Sequence, residues 1–295
     1  MAELFLHVTN VVLPVLICAA IGFGLARFKV PFDNKMVNGV VANVGYPTLI
    51  ISHLSDAHVP IGAFLDMMLA AVAVLACFCV AAFVFLKIMG LNTRAFLSPM
   101  MHANVGNVGL PIALLAFGEA GMAYAMAFVV VIVVSIFTVG MAVTMGSFSI
   151  RSLVTSPIIY AVLVTLVLMA TDTALPKPID AAFDILGGLA IPLMLLTLGY
   201  TLATLKISAL WRATYLSLFH IAMGVAIALG LLQVFGFTGT ERGVFILMCL
   251  MPVSVATYLF VDQHVPELAH EVAGLIMVST LLTIVVMTLA LTYWI

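Results

Sequence analysis

Charge is the scarcest feature of this sequence: Lys and Arg number 10 and Asp and Glu 12 among 295 residues, or 7% of the chain. A soluble globular chain carries about 25%. So few charges cannot cover a water-facing surface, and with 65% of the residues hydrophobic a soluble domain is excluded. The formal net charge is −2 and no run of basic residues occurs, so no nucleic-acid partner is expected. Cysteines are few, and Cys18, Cys77, Cys79 and Cys249 all fall in apolar runs, where thiols pack as small hydrophobes. The start, Met1-Ala2-Glu3, lacks the basic region of a cleavable signal peptide, so the first apolar run is expected to be a retained spanning helix. The signatures of catalysis are missing too. There is no His-Glu-x-x-His, no aspartate-rich pair to hold magnesium diphosphate, no Gly-x-Ser-x-Gly and no phosphate loop. An intramembrane enzyme is therefore the weaker reading, and no metal or other cofactor is expected.

What the chain does have is apolar runs of about 20 residues from end to end, the length that crosses a bilayer. Clusters of Pro, Gly, Asn, Asp, Lys and Arg cut it into ten segments: 4–26, 36–55, 62–89, 95–117, 121–145, 156–171, 181–204, 210–235, 243–262 and 271–294. The fold class expected is an all-α polytopic membrane protein with ten transmembrane helices. Alternate loops then share a side. Arg27, Lys29, Lys35, Lys87, Arg94, Arg151, Lys206 and Arg212 fall on one side, and Lys177 and Arg242 on the other. Cytoplasmic loops are enriched in such residues, which puts both termini outside the cytoplasmic (inner) membrane.

Four prolines recur at nearly one offset: Pro14 with Pro157 (143), Pro31 with Pro176 (145), Pro47 with Pro192 (145) and Pro111 with Pro252 (141). The chain reads as a duplication, with a first five-helix repeat at 1–148 and a second at 149–295. Five is odd, so the second repeat enters from the opposite face and the repeats are inverted. The tightest match sets Asn43-Val-Gly-Tyr-Pro47 against Gly188-Leu-Ala-Ile-Pro192. Aligning Arg94 with Arg242 (148) gives another register for segments four and nine.

Segment four contains His102-Ala-Asn-Val-Gly-Asn-Val-Gly-Leu-Pro111, the most polar and most helix-breaking stretch of any span. Gly weakens a helix by about 1 kcal/mol and Pro by about 3 kcal/mol relative to Ala. Carbonyls freed in hydrocarbon need partners, so such backbone is tolerated only inside protein or along a wet cavity. Segment nine has a milder counterpart, Met251-Pro252-Val-Ser254-Val-Ala-Thr257-Tyr258. Two broken helices at corresponding places in inverted halves point to a transport site. Their half-helix N-termini offer N–H donors and partial positive charge to a carboxylate. No Lys or Arg lies near the middle of any segment, so an anion would be held by dipoles and amides. The candidate substrate-binding residues are Asn104, Gly106, Asn107, Gly109 and Pro111, with Asn43, Pro252, Ser254, Thr257 and Tyr258. Single asparagines or glycines in such positions also serve as helix-packing residues; the concentration of both kinds is what favours a site.

At these residues the chain resembles the auxin efflux carrier family, which includes bacterial transporters of malonate and malate as well as plant auxin carriers. The resemblance is carried by Asn104-Val-Gly-Asn107-Val-Gly-Leu-Pro111, Tyr46-Pro47, Ala190-Ile-Pro192 with Leu198-Gly199, and Leu250-Met-Pro252. It implies a fold shared with bile acid sodium symporters, in which segments four and nine cross near the midplane and one repeat bundle moves against the other. It also implies that Asn104 and the crossing at Pro111 face the substrate, with Ser254 to Tyr258 opposite. The plant carriers have a further proline where this chain has Thr257 and an Asp–Lys pair in segment three that has no match here. A bacterial small-acid carrier is therefore expected, not an auxin carrier.

Among ionisable groups within the segments, His102, Asp66 and His220 are the candidates for a coupling ion, in that order, because an imidazole titrates near neutral pH and intramembrane charge is costly. His53 lies in segment two, and Asp184 near the outer end of segment seven. The function expected is a secondary active transporter moving a small organic anion by alternating access, coupled to protons or sodium. The alternative of the same fold is a sodium-coupled symporter of the bile-acid type. The expected partners are the anion, the coupling ion and the lipid bilayer, with a homodimer left open.

Overall fold

The computed structural model describes residues 2–56, 59–146, 155–171 and 173–294, with side chains from residue 8 onward and outside 53–56. The described chain is 86% helical and has no strand. This is what a chain so poor in charge must do, because in hydrocarbon a helix satisfies every backbone donor and acceptor within its own segment. Six helical segments are long and apolar enough to cross a membrane: Val8–Arg27, Ile61–Ile88, Val105–Met145, Lys177–Thr204, Leu210–Phe235 and Pro266–Tyr293.

The helices run α1 (Ala2–Arg27), α2 (Asn34–Val40) and α3 (Tyr46–Asp56) joined by a π turn at Val41–Gly45, α4 (Ile61–Ile88), α5 (Thr93–Met101) and α6 (Leu110–Ser135). Then come α7 (Met141–Met145), α8 (Pro157–Thr171), α9 (Lys177–Gly188), α10 (Ala190–Thr204), α11 (Leu210–Phe235), α12 (Gly239–Cys249), α13 (Tyr258–His264) and α14 (Pro266–Tyr293). Polar side chains set several of the starts. Asp33 accepts from the amides of Lys35 and Met36 at the head of α2, and Asn92 from those of Arg94 and Ala95 at the head of α5. Arg151 lies outside the described residues.

The 41-residue segment Val105–Met145 would measure about 60 Å as one straight helix, twice the hydrocarbon thickness. It is not straight. Gly118 has φ 66° and ψ −157°, a conformation only glycine adopts readily. A methyl group on Gly121 would stand 2.9 Å from the carbonyl oxygen of Ala113, eight positions back and about 12 Å away along a straight helix. The chain therefore turns back on itself at Gly118, between the fourth and fifth apolar segments.

The fourth and ninth segments are each interrupted. After α5 the backbone is extended through His102 and Ala103 before a π turn at Val105–Gly109 leads into α6. After α12 it passes through Pro252 and Val253 before a 3₁₀ turn at Val255–Thr257 leads into α13. The two gaps cross and pair as an isolated antiparallel bridge, Ala103 with Val253. Its local two-fold relates residues 102–104 to 252–254, an offset of 150. Pro252 thus sits inside its gap, whereas Pro111 opens the helix that follows the other one.

Around the crossing, α1 packs along α10, α11 along α14, and α3 along α8 and α9. Small residues let the first pair approach closely: a methyl on Gly22 would overlap the carbonyl of Leu196, and one on Gly199 the carbonyl of Ala19. Both obstacles are main chain, which cannot swing aside. Gly199→Ala is accordingly expected to destabilise the protein by roughly 1–3 kcal/mol, the usual range for overpacking. Gly230→Ala, inside α11 with nothing near its Cβ position, is expected to be neutral or slightly stabilising. Thermal unfolding midpoints of the two variants in detergent, compared with wild type, check this; equal midpoints would contradict the close packing of α1 on α10.

Candidate functional site

The crossing owes its shape to the four main-chain groups exposed by the two gaps. The amide of Asn104 donates to the carbonyl of Pro252 at 2.6 Å, and the amide of Ser254 to the carbonyl of His102 at 2.9 Å. The amide of Val253 turns to the hydroxyl of Ser279 on α14, 3.3 Å away. Proline has no amide to donate, so at Pro252 only a carbonyl needs a partner, and Asn104 supplies it.

Beside the crossing lies a cavity of about 310 Å³. One wall is the broken stretches themselves, Ala103–Asn107 and Ser254–Ala256 with Tyr258 and Leu259. The opposite wall comes from α2 and its π turn (Asn34, Asn38, Val41, Ala42), Tyr46 at the start of α3, and α10 (Thr197, Thr201, Thr204). Leu205, Ile132, Val133, Ile136, Phe137 and Ile158 complete the lining. Among the described residues the wall carries amides and hydroxyls and no charged side chain. The half-helices that begin at Val105 and Val255 both start at this wall, and the first amides of a helix have no carbonyl before them to bond to.

Of the residues expected from the sequence, the structure brings Asn104, Gly106, Asn107, Ser254 and Tyr258 to the cavity. Asn104 is 4% exposed, and its side-chain nitrogen has no hydrogen-bond partner among the described residues. A buried unpaired amide costs about 1–3 kcal/mol, so this one asks for an explanation. The remaining expected residues lie elsewhere. Gly109 faces Met248 and Met251 of the α12 side. Pro111 is buried in the first turn of α6, and Pro252 is buried in the crossing. Thr257 is buried with its hydroxyl donating to the carbonyl of Ser254 at 2.7 Å. Asn43 is exposed on the far side of its helix and donates to the carbonyl of Gly39 at 2.8 Å.

The ionisable candidates are also spread out. Asp66 is exposed near the start of α4. His102 is fully buried, with Nδ1 2.8 Å from the carbonyl oxygen of Ser98 and Nε2 3.0 Å from the hydroxyl of Ser135. His220 lies between main-chain carbonyls, 3.1 Å from those of Met100 and Met251. Asp184 accepts from the hydroxyl of Ser52. The side chain of His53 is outside those described.

The second wall was not expected. Asn34, Asn38, Ala42 and Tyr46 recur every four residues, and Thr197, Thr201 and Thr204 at four and three, which are the spacings of one helix face. Those polar stripes on otherwise apolar helices are the signal that would have found it. The amide of Asn34 donates to the hydroxyl of Thr201 at 2.9 Å and joins the two stripes. Asn43, one position on from Ala42, is rotated by about 100° and leaves this face.

Tyr46 also explains a glycine. A methyl on Gly106 would overlap the Tyr46 hydroxyl, so the two walls touch where a side chain is missing. Gly106→Ala is expected to weaken folding or displace the half-helix, and adding Tyr46→Phe, which removes the obstructing oxygen, is expected to restore much of the loss. Unfolding midpoints of the two single variants and the double variant check this, and additive losses would mean that the contact is not the reason for the glycine.

No curated protein matches the chain. A family model described as membrane transport protein, the domain of the auxin efflux carriers, matches residues 140–291, from the residue before α7 through nearly all of α14. That stretch covers half of the chain and includes the second broken helix, so the chain belongs to the auxin efflux carrier family of membrane transport proteins.

Proposed function

We propose that this protein is a secondary active transporter that moves a small organic anion across the cytoplasmic membrane by alternating access, using an ion gradient. The observation that carries the reading is the unpaired amide of Asn104, at the wall of an uncharged cavity where two half-helices begin. The amide and the first-turn N–H groups are donors in search of an acceptor, and a carboxylate is the acceptor that gains most from them. Among the described residues the site has no counter-charge, which suits a substrate with one carboxylate engaged and the rest neutral or near water. Ser254 and Tyr258 line the same wall and complete the contact. Carriage by the family's bacterial small-acid branch fits this better than a sodium-coupled symporter for a large steroid acid, because the cavity is small.

Ten crossings in two inverted five-helix repeats, 1–148 and 149–295, organise the site. Contacts between helix ends support this. The guanidinium of Arg94 donates to the carbonyl of Thr144, Arg212 pairs with Glu271, and the amide of Ser208 bonds to the carbonyl of His270; the ten-segment reading puts each pair on the cytoplasmic side. On the other side it puts Tyr124 with Glu241, and Arg242 with the carbonyl of Trp294, and these too are bonded. The two-fold of the crossing bridge is what an inverted repeat requires. Asn34, Thr204 and Leu205 stand at the basic ends of their segments and line the cavity, which on the ten-segment reading supports an opening toward the cytoplasm.

Two measurements test the proposal. Purified, folded Asn104→Ala should bind the transported acid about tenfold to a hundredfold more weakly, the equivalent of roughly 1.5–3 kcal/mol for a hydrogen bond to a charged group. The acid is found by uptake of radiolabelled mono- and dicarboxylates into proteoliposomes under separate pH and sodium gradients. An unchanged dissociation constant would remove Asn104 from the site. For orientation, a cysteine at position 206, in a background lacking the native four, should react with an impermeant reagent only from the cytoplasmic side, and labelling from outside whole cells would reverse the topology.

A further inference from the structure

His220 stands ten residues into α11 and is 1% exposed. Its Nδ1 lies 3.1 Å from the carbonyl oxygen of Met100 and its Nε2 3.1 Å from that of Met251. Both partners are main-chain carbonyls, which accept and never donate. A neutral imidazole has one N–H, so it satisfies one of these carbonyls and turns a lone pair on the other; an imidazolium donates to both. His102 shows the opposite arrangement. Its partners are a carbonyl and a hydroxyl, so the neutral tautomer with the proton on Nδ1 is fully satisfied, donating to Ser98 and accepting from Ser135.

The positions of the two carbonyls add to the argument. Met100 is in the last turn of α5, and Met251 follows the end of α12. They belong to the C-terminal ends of the two half-helices that lead into the crossing, where unpaired carbonyls concentrate partial negative charge. The ring of Phe78 on α4 lies 5.2 Å from the imidazole, within the distance at which an aromatic face attracts a cation. Four elements surround His220: α4, α5, α12 and α14. Their ionisable groups are Cys77, Cys79, Asp66 and Lys87 on α4, Arg94 on α5, Cys249, Glu241 and Arg242 on α12, and Glu267, His270, Glu271 and Tyr293 on α14, with Arg212 and Tyr215 on α11 itself. Among the described residues none of these is bonded to the ring.

We propose that His220 is a proton-binding site that clasps the two broken helices together. Protonated, it ties the end of α5 to the end of α12; on loss of the proton one of the two carbonyls loses its donor and the crossing loosens. The proton enters from and leaves to water, adding to and departing from a ring nitrogen without other chemistry. That this proton is the coupling ion rests on the transporter reading above; that His220 binds it does not.

The test labels the protein with ¹⁵N-histidine and ¹³C-carbonyl methionine in lipid nanodiscs, so that the ring is identified by its proximity to methionine carbonyls without any variant. The expected result is a ring protonated on both nitrogens that loses one proton between about pH 5 and about pH 9. A ring that stays in one neutral tautomer throughout that range overturns the site. For coupling, wild-type and His220→Gln proteins are compared by malonate uptake into proteoliposomes. Gln has one amide donor group and one acceptor and cannot take up the proton, so uptake by the variant should no longer respond to an imposed pH gradient. Uptake that still follows the gradient overturns the coupling role. A titrating His220 in a protein that transports none of the acids offered would overturn the transporter reading while leaving the proton site standing.

Discussion

Two main-chain hydrogen bonds, Asn104 to Pro252 and Ser254 to His102, allow this protein to break two helices inside an apolar body. Interrupting a helix in hydrocarbon strands donors and acceptors that water cannot reach, each at a cost of several kcal/mol. Crossing the two gaps lets each supply part of what the other lacks. The solution works only if the gaps meet at one depth and run antiparallel, and the rest of the molecule is arranged to hold them so. The turn at Gly118 brings the chain back beside its own first half, and Ser279 on α14 takes the one amide of Val253 that the bridge leaves over.

Breaking a helix twice also yields four new helix ends, and the crossing sorts them by sign. The starts at Val105 and Val255 face the cavity, with N–H groups and partial positive charge. The ends at Met100 and Met251 face His220, with carbonyls and partial negative charge. A chain whose cavity wall holds no basic side chain among the described residues can in this way present a positive surface there from helix starts alone. The electrostatics follow from backbone direction, so they persist when the cavity is empty and carry no cost of burying an unpaired charge.

The sequence revealed the fold and one wall of the cavity to different degrees, and for physical reasons. Apolar runs were legible because the bilayer imposes their length locally, and among the described residues six helices are long and apolar enough to cross it. The broken stretch from Asn104 to Pro111 was legible because glycine, asparagine and proline crowded into one span contradict a continuous helix. The membrane transport match begins at residue 140, after that stretch, so the motif and the match locate the two halves of the crossing independently. The register between the halves was not legible from prolines. Pro111 and Pro252 share a residue type but do different things, one opening a helix and one supplying a carbonyl inside a gap. The second wall was missed because Asn34, Asn38, Thr197 and Thr201 break no local rule. A threonine in a membrane helix can return its hydroxyl to its own backbone, as Thr197 does to Met194, and only the approach of α2 to α10 turns these residues into a surface.

The two walls differ in how firmly they are fixed, and this bears on movement. The crossing wall is held by main-chain bonds among the buried residues His102, Asn104, Pro252 and Ser254. The opposite wall touches it where the Tyr46 hydroxyl lies over Gly106, an approach that the missing side chain permits. Under the transporter proposal the glycine in that seam lets the surfaces slide, and the bonded main chain of the crossing keeps the two broken helices together. On the proposed mechanism, an anion bridging the two walls and a proton on His220 then act on the same body from opposite ends, the anion at the helix starts and the proton at the helix ends. Each changes what it costs to move the crossing, so each changes the affinity for the other, and the coupling is reciprocal because both work through one set of helix termini.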